Sequence, residues 1–474
     1  MNLIAALPSP DSPNETQINP LDPVYLSNPE KRPCFPRTLK PKDAYNQEEQ
    51  KTASSAGPQV VVECGQSERW LPPKSFGFWT WGTYMPISET EVEKPAAQGA
   101  AMEITVSRQD LVRELTATQS VVERKTTIPI LSNFLLEAED DRLNITATDL
   151  DQAIRTSAAV KVKKPGSCTI PARKLYDYIK LLPDGDISIK LLENHWVQIR
   201  SGRSNTKIVG MARANYPQVP EFPAVAATSI PLIVLKTLIA RTIFAISNEE
   251  SRYTLNGALL VIKAESLAMV ATDGHRLSFV EKPNENLEGI SGEKRILIPR
   301  KALQELQQLL TATEADKVEF ADDEHTLFFR IGHRTLSTRK LSGQFPNFEA
   351  VMPRDNTKFA VVRSSELSAA IQRVAQFADE RSGAIRLRLE GNELKISANS
   401  TESGESEDTI DTPYSSDPII VGFNSVYILD FLKALSNEGE VRLEFKDSQS
   451  AGQMRPEDPD AEYKYRYVLM PMRI

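Results

Sequence analysis

From residue 102 onward, apolar and polar positions alternate in short runs, and the runs recur. Ile104–Val106 reads as a strand, Ser107 as an N-cap, and Asp110–Val122 as a helix with Leu111, Leu115 and Thr118 on one face. Strands are predicted at Ser132–Ala138, Leu143–Thr148 and Ala153–Val162. Thr169–Lys174 then opens a helix through Leu182, and strands follow at Asp186–Leu192, Trp196–Ser201 and Lys207–Ala212. The order restarts. Ser229–Ile246 gives a strand entry and a helix with Leu235, Leu238 and Ile239 inward; Ala258–Ile262 and Leu267–Thr272 are strands, and Ile298–Lys301 opens a helix through Leu310. A third round has a strand at Phe359–Val362, a helix capped by Ser365 and ending near Ala375, and strands at Ala384–Leu389 and Glu393–Ala398. Val421–Asn424 then opens a helix through Leu435.

The strand ends that break into polar residues set the period. LNITATDL at Leu143–Leu150, LAMVATDGHRL at Leu267–Leu277 and LKISANS at Leu394–Ser400 lie 124 and 127 positions apart, counted from Thr148 to Thr272 and from Thr272 to Asn399. From each break to the next helix opening the distances are 22 (Thr148 to Ile170), 26 (Thr272 to Ile298) and 22 (Asn399 to Val421). Constant order at near-constant spacing is an internal triplication, and a repeat of this length implies three similar domains rather than a solenoid. Each has two helices and enough strands for two small sheets, an α+β architecture in which helices cover one side of a sheet. The boundaries are expected at 102–225, 226–350 and 351–474.

Residues 1–101 carry no sustained period and are studded with proline. They are expected to be disordered, or to lie upstream of a true translation start at Met102; Trp70, Trp79 and Trp81 would fit a segment that folds on a partner. Met1–Leu7 lacks the basic and apolar regions of a signal peptide.

Composition narrows the class. A net charge of −8 argues against a surface coated in nucleic acid but allows one basic face. The longest apolar run, Ser229–Ile246, is interrupted by Lys236 and Arg241 and does not qualify as a membrane span. Cys34, Cys64 and Cys168 are too few and too scattered for a disulfide framework or a four-thiolate zinc site, and they fit a reducing cytoplasm.

Asp273 beside His275 invites a hydrolase reading, with a carboxylate orienting a general base. That reading needs a nucleophile, a phosphate loop or a metal set, and no HExxH, Walker or Gly-x-Ser-x-Gly pattern occurs. Charge points elsewhere. The first unit offers Lys174, Arg200, Arg203 and Lys207, and the third an acidic run, Glu402, Glu405, Glu407, Asp408 and Asp411. Such opposite ends would select head-to-tail pairing of two copies into a ring; the plainer reading of the acidic run is a solvated loop. Basic residues also recur near helix starts, at Arg124 and Lys125, Arg173 and Lys174, and Arg300 and Lys301. On one side of a ring they would attract phosphate, although single cations there usually only solvate helix ends. In the third unit Phe423-Asn424 replaces the pair.

RYTLNG at Arg252–Gly257, VATDGHRL at Val270–Leu277, RSGRS at Arg200–Ser204, IPARK at Ile170–Lys174, FPNFEAVMP at Phe345–Pro353 and YVLMPMRI at Tyr467–Ile474 closely resemble the bacterial DNA polymerase III β subunit family, the sliding clamps. The resemblance covers essentially all of 102–474 and none of 1–101. It implies a DNA-clamp fold closed as a ring-shaped, head-to-tail homodimer around duplex DNA. It implies no catalytic residues, no cofactor and no metal. The expected partners are a clamp loader, the replicative polymerase α subunit and other proteins carrying a clamp-binding motif, in the cytoplasm and away from membranes. DNA-contact positions of the family fall on Lys125, Arg173, Glu249, Tyr253, Arg300 and Lys301; Glu249 is a departure, because a carboxylate repels phosphate. The family's partner pocket would be lined by Arg252, Leu255, Thr272, Gly274, His275, Arg276, Leu277, Pro346, Val351, Val468, Met470, Pro471 and Met472. The dimer interface is expected at Lys174, Tyr178, Arg203, Ile208, Phe377, Glu402 and Glu405. A paralogous or resistance-type clamp with altered partners would carry the same motifs.

Overall fold

The computed structural model describes residues 102–123, 126–224, 227–249, 251–283, 287, 292–458 and 461–473, all within one compact unit, Glu91–Ile474. The expectations for residues 1–101, Arg124 and Lys125 lie outside the described residues.

Among the described residues six α-helices fall two to each repeat: α1 (Arg108–Thr118) and α2 (Ala172–Leu181), α3 (Leu232–Ala240) and α4 (Arg300–Thr311), α5 (Ser364–Val374) and α6 (Ser425–Ala434). Each buries one stripe, such as Leu111, Leu115 and Thr118 of α1 or Leu303, Leu306 and Leu310 of α4, against a sheet. Ser107 stands at the N-cap of α1 without a side-chain bond, and the Arg108 N–H goes to the Gly185 carbonyl. Arg363, not Ser365, is the cap residue of α5, and the Ser364 N–H is held by the Gly439 carbonyl. In both places a carbonyl of a neighbouring loop satisfies the first of the helix's unpaired N–H groups.

The sheets depart from the expectation of two small ones per unit. Four antiparallel sheets are present among the described residues, and two of them cross the repeat boundaries. The first eight-stranded sheet joins Gln152–Ala159 of the first repeat to Arg334–Arg339 of the second, with Ala153 opposite Ser337. The second joins Arg276–Pro283 of the second repeat to Lys464–Leu469 of the third, with Leu277 opposite Val468. Left over are a five-stranded sheet in the first repeat, ending on Ser204–Val209, and a four-stranded sheet in the third, ending on Gly404–Asp411. The acidic run is therefore an edge strand and not a loop. Ala153–Val162 also breaks in two, Gln152–Ala159 and Lys161–Lys164, which pair into different sheets.

A buried polar lock holds the first boundary. Glu114 of α1 accepts from Arg334 Nε at 3.0 Å and Nη2 at 3.1 Å, from Thr156 Oγ1 at 2.6 Å and from Arg113 Nε at 2.9 Å. Burial alone would raise this carboxyl, but Arg334, Thr156 and Arg113 outweigh it and bring the pKa down to about 2.

Candidate functional site

The Thr-Asp breaks turn out to be one turn built twice. In the first repeat Thr148 Oγ1 donates to the Gln152 carbonyl at 2.8 Å, while Asp149 Oδ1 accepts from the Asp151 and Gln152 N–H groups at 3.0 and 2.8 Å. In the second, Thr272 Oγ1 donates to the Arg276 carbonyl at 2.6 Å and Asp273 Oδ1 accepts from the His275 and Arg276 N–H groups at 2.9 and 3.0 Å. Asp273 touches His275 through the backbone, not the ring, and its other oxygen takes Arg276 Nε at 3.0 Å. This carboxylate is a turn-former, so the general-base pairing has no geometry behind it.

The third turn residue has positive φ in both copies, 78° at Leu150 and 90° at Gly274. Glycine matters at the second because a Cβ on Gly274 would lie 2.8 Å from Arg252 Nη1. That guanidinium group donates to the Asp273 carbonyl at 2.7 Å and pairs with Glu249 at 2.9 Å. Glu249 is thus held by Arg252, which offsets the charge that set it apart from the other DNA-contact candidates.

An apolar cluster lies beside this turn, on the face of the shared sheet away from the helices. Leu255, Leu277 and Val468 are buried in it together with Val270, Phe345 and Phe348, and Phe279 stacks on Phe348 at 5.8 Å between ring centres. Thr272 pairs with Leu277 across the strands. The exposed rim carries Pro346, His275, Val351 at 43 % and Met470 at 40 % exposure. Met470 donates its N–H to the His275 carbonyl at 2.9 Å. Pro471 and Met472 are half-buried, and Met472 bridges to Gly422 of the third repeat.

Arg276 is the member of the set that the structure takes elsewhere. Its guanidinium donates to Asp430 Oδ2 at 2.7 Å and to the Phe244 carbonyl at 2.6 Å, and lies 4.3 Å over the Tyr427 ring. Side chains alternate along a strand. Leu277 faces the pocket, so Arg276 faces the helices and pins α6 across the second repeat boundary.

Repeat equivalence shows what makes this junction different from the other. Val270, Leu277, Phe279 and Val468 correspond to Thr146, Ala153, Arg155 and Ser337 at the first boundary, by the matching strand registers. One boundary therefore has an apolar floor of large side chains, and the other a mostly polar one that includes the charged Arg155. A surface of leucine, valine and methionine can repack around different apolar segments.

The basic candidates sit on helix starts. Arg173 is exposed and pairs with Asp177 at 3.6 Å; Tyr253 is exposed. Arg300 donates to the Ile246 carbonyl at 3.3 Å and to Asn248. Lys301 bonds Asp149 at 3.1 Å across the first boundary; burial opposes its charge, yet Asp149 and Glu123 keep its pKa above the usual lysine range. Neither α2 nor α4 has an acid in its first turn or a side-chain cap. Two cations at a helix end that already carries partial positive charge are unfavourable for the helix alone, and favourable where an anion comes near. In the third repeat, Asn424 instead caps α6 through the Val426 N–H at 2.9 Å.

The interface candidates lie at two separate places in the chain. Lys174 and Arg203 are exposed, Tyr178 is half-buried with its hydroxyl unpartnered, and Ile208 is buried in the core of its own repeat. Phe377, Glu402 and Glu405 are exposed in the third repeat. Among the described residues no group of His, Cys, Asp and Glu could hold a metal ion, and no helix is long and apolar enough to cross a membrane.

Residues 102–220 match the model for the DNA polymerase III beta subunit N-terminal domain, 229–347 the central domain and 349–473 the C-terminal domain. The beta sliding clamps of Vibrio cholerae and Escherichia coli K12 are 32 % and 33 % identical to the chain, over 79 % of its length and 100 % of theirs. Among solved structures, the Pseudomonas aeruginosa sliding clamp bound to griselimycin is 35 % identical with a TM-score of 0.73. The Bartonella birtlesii clamp bound to the same compound is 34 % identical with a TM-score of 0.74. Each covers 79 % of this chain and 100 % of its own.

Proposed function

The chain belongs to the DNA polymerase III β subunit family, and from that premise we propose that it is a non-catalytic processivity factor. Two copies close into a ring around duplex DNA and tether the replicative polymerase through the apolar pocket. We place the unit boundaries at 225/226 and 350/351 and the protein in the cytoplasm, where a clamp loader opens and seats the ring.

One observation carries the ring. At each internal boundary the strand that follows the repeated turn pairs with the last strand of the next repeat. Among the described residues one such pair is left unmade: the third repeat's Gly404–Asp411 and the first repeat's Ser204–Val209, both open edges. Open edges invite strand addition, and a second copy supplies the missing partner on each side. The register follows from equivalence. Asn399, opposite Glu405, corresponds to Thr272, opposite Leu277. The two-residue turns at 202–203 and 332–333 bring Lys207 into the place of Ser337. Glu405 of one copy then lies opposite Lys207 of the other, and Arg203 sits at the turn beside the acidic strand. Acidic edge against acidic edge repels, so only the head-to-tail arrangement forms. Sedimentation velocity of the full chain tests this: a dimer at micromolar concentration is expected, and a monomer there would remove the closed ring.

Inside the ring Arg173, Arg300, Lys301 and Tyr253 line the phosphate path, with Arg173 the freest of the cations. Griselimycin, bound by the P. aeruginosa and B. birtlesii clamps, occupies the Leu255, Leu277 and Val468 pocket here, as do peptides of the polymerase α subunit and of other clamp-binding proteins.

A further inference from the structure

We propose that the partner pocket continues into a basic cavity that takes acidic residues flanking the partner's apolar segment. The inference rests on the reading of the Leu277 and Val468 cluster as the partner site. Lys464, Arg466 and Val468 lie on one face of the last strand, since alternate residues share a face. Val468 is opposite Leu277 in the apolar pocket and Arg466 is opposite Phe279 at its border. Beyond them lies a cavity of about 610 Å³, lined by Arg354, Arg455, Lys464 and Arg466 with Glu444 and Asp458. Arg354 follows the pocket rim by three residues, counting from Val351.

The charges on this wall are unequal in availability. Glu444 is occupied by Arg442 at 3.0 Å and Arg455 at 2.9 Å, and Lys464 pairs with Glu281 at 3.1 Å. Arg354 and Arg466 are exposed and have no ion-pair partner among the described residues. Two unpaired guanidinium groups, one residue pair away from an apolar anchor site, match carboxylates placed one to three residues from the anchor, because an extended chain advances about 3.3 Å per residue. A free small anion would have no reason to be joined to the apolar pocket, whereas an acidic peptide uses both surfaces.

Random dodecapeptides displayed on phage, selected against the full chain, supply the probes. A recovered peptide is synthesised with its own flank and with each Asp and Glu changed to Asn and Gln, both labelled with fluorescein. The acidic form is expected to bind roughly three- to tenfold more tightly at low salt, and the difference should vanish at high salt and in an Arg354→Ser, Arg466→Ser variant. Selected peptides without acidic enrichment, or equal binding of the two forms to the wild-type chain, would overturn the proposal and leave the pocket standing. If the recovered peptides bind a Val351→Asp variant as well as the wild type, the pocket itself is misplaced and the proposal falls with it.

Discussion

Arg276 and Asp430 meet at 2.7 Å across the second repeat boundary, one residue from a leucine that faces the opposite side of the sheet. The arginine side chain is 10 % exposed and the aspartate 32 %. Arg276→Met leaves Asp430 and the Phe244 carbonyl without their donor, and about 2–3 kcal/mol of stability is expected to go. Asp430→Asn keeps a hydrogen-bond acceptor and should cost about 1 kcal/mol. Urea unfolding of both variants checks the order; equal and negligible costs would show that the junction is held without this arginine.

Glu114 gives the first boundary a pH dependence. Its folded pKa of about 2 lies below the ordinary glutamate value of about 4.3. The lock therefore stabilises the fold fully above that ordinary value, and the contribution fades as pH falls toward 2, at about 3 kcal/mol in total. Glu114→Gln is expected to lower stability at pH 7 and to flatten the acid limb of the stability profile between pH 4.5 and 2. An acid limb identical to that of the wild type would contradict the assignment.

Gly274→Ala has two consequences of different size. Leu150 adopts the same left-handed φ in the first repeat, so strain alone should cost only about 1 kcal/mol. The new Cβ displaces Arg252, and the pocket wall moves with it. Griselimycin affinity should drop about fivefold while sedimentation is unchanged; isothermal titration calorimetry reads it, and unchanged affinity would take Arg252 out of the pocket.

Some of this was legible in the chain and some could not be. The repeated Thr-Asp turn, the six helices and the family motifs stand in the sequence because local chemistry makes them. Shared sheets do not, since pairing between Arg334–Arg339 and Gln152–Ala159 is a matter of register across 175 or more positions. Glu114 lies one residue before Leu115 on the buried side of α1, and the partners that hold it there, Arg334 and Thr156 above all, are distant in sequence. The two-residue period of the strand that contains both puts Arg276 and Leu277 on opposite faces, an alternation that is readable in the sequence but not in the family motif that joins them.

The edge pairing makes a charge-swap experiment decisive for the interface. Glu405→Lys is expected to weaken the dimer by about ten- to a hundredfold through like-charge contact with Lys207. Lys207→Glu in the same chain should restore it, because both exposed side chains simply exchange signs. A double variant no tighter than the single one would reject the register in which these two residues oppose each other.

The ring reading is tested most directly by topology. The full chain, seated on nicked circular plasmid by the clamp loader of its own organism, is passed through a gel-filtration column at about 0.5 M salt, where direct phosphate contacts are weak. Retention on the circle and release after a single linearising cut are the expected results. Equal loss from circular and linear DNA would contradict the closed ring.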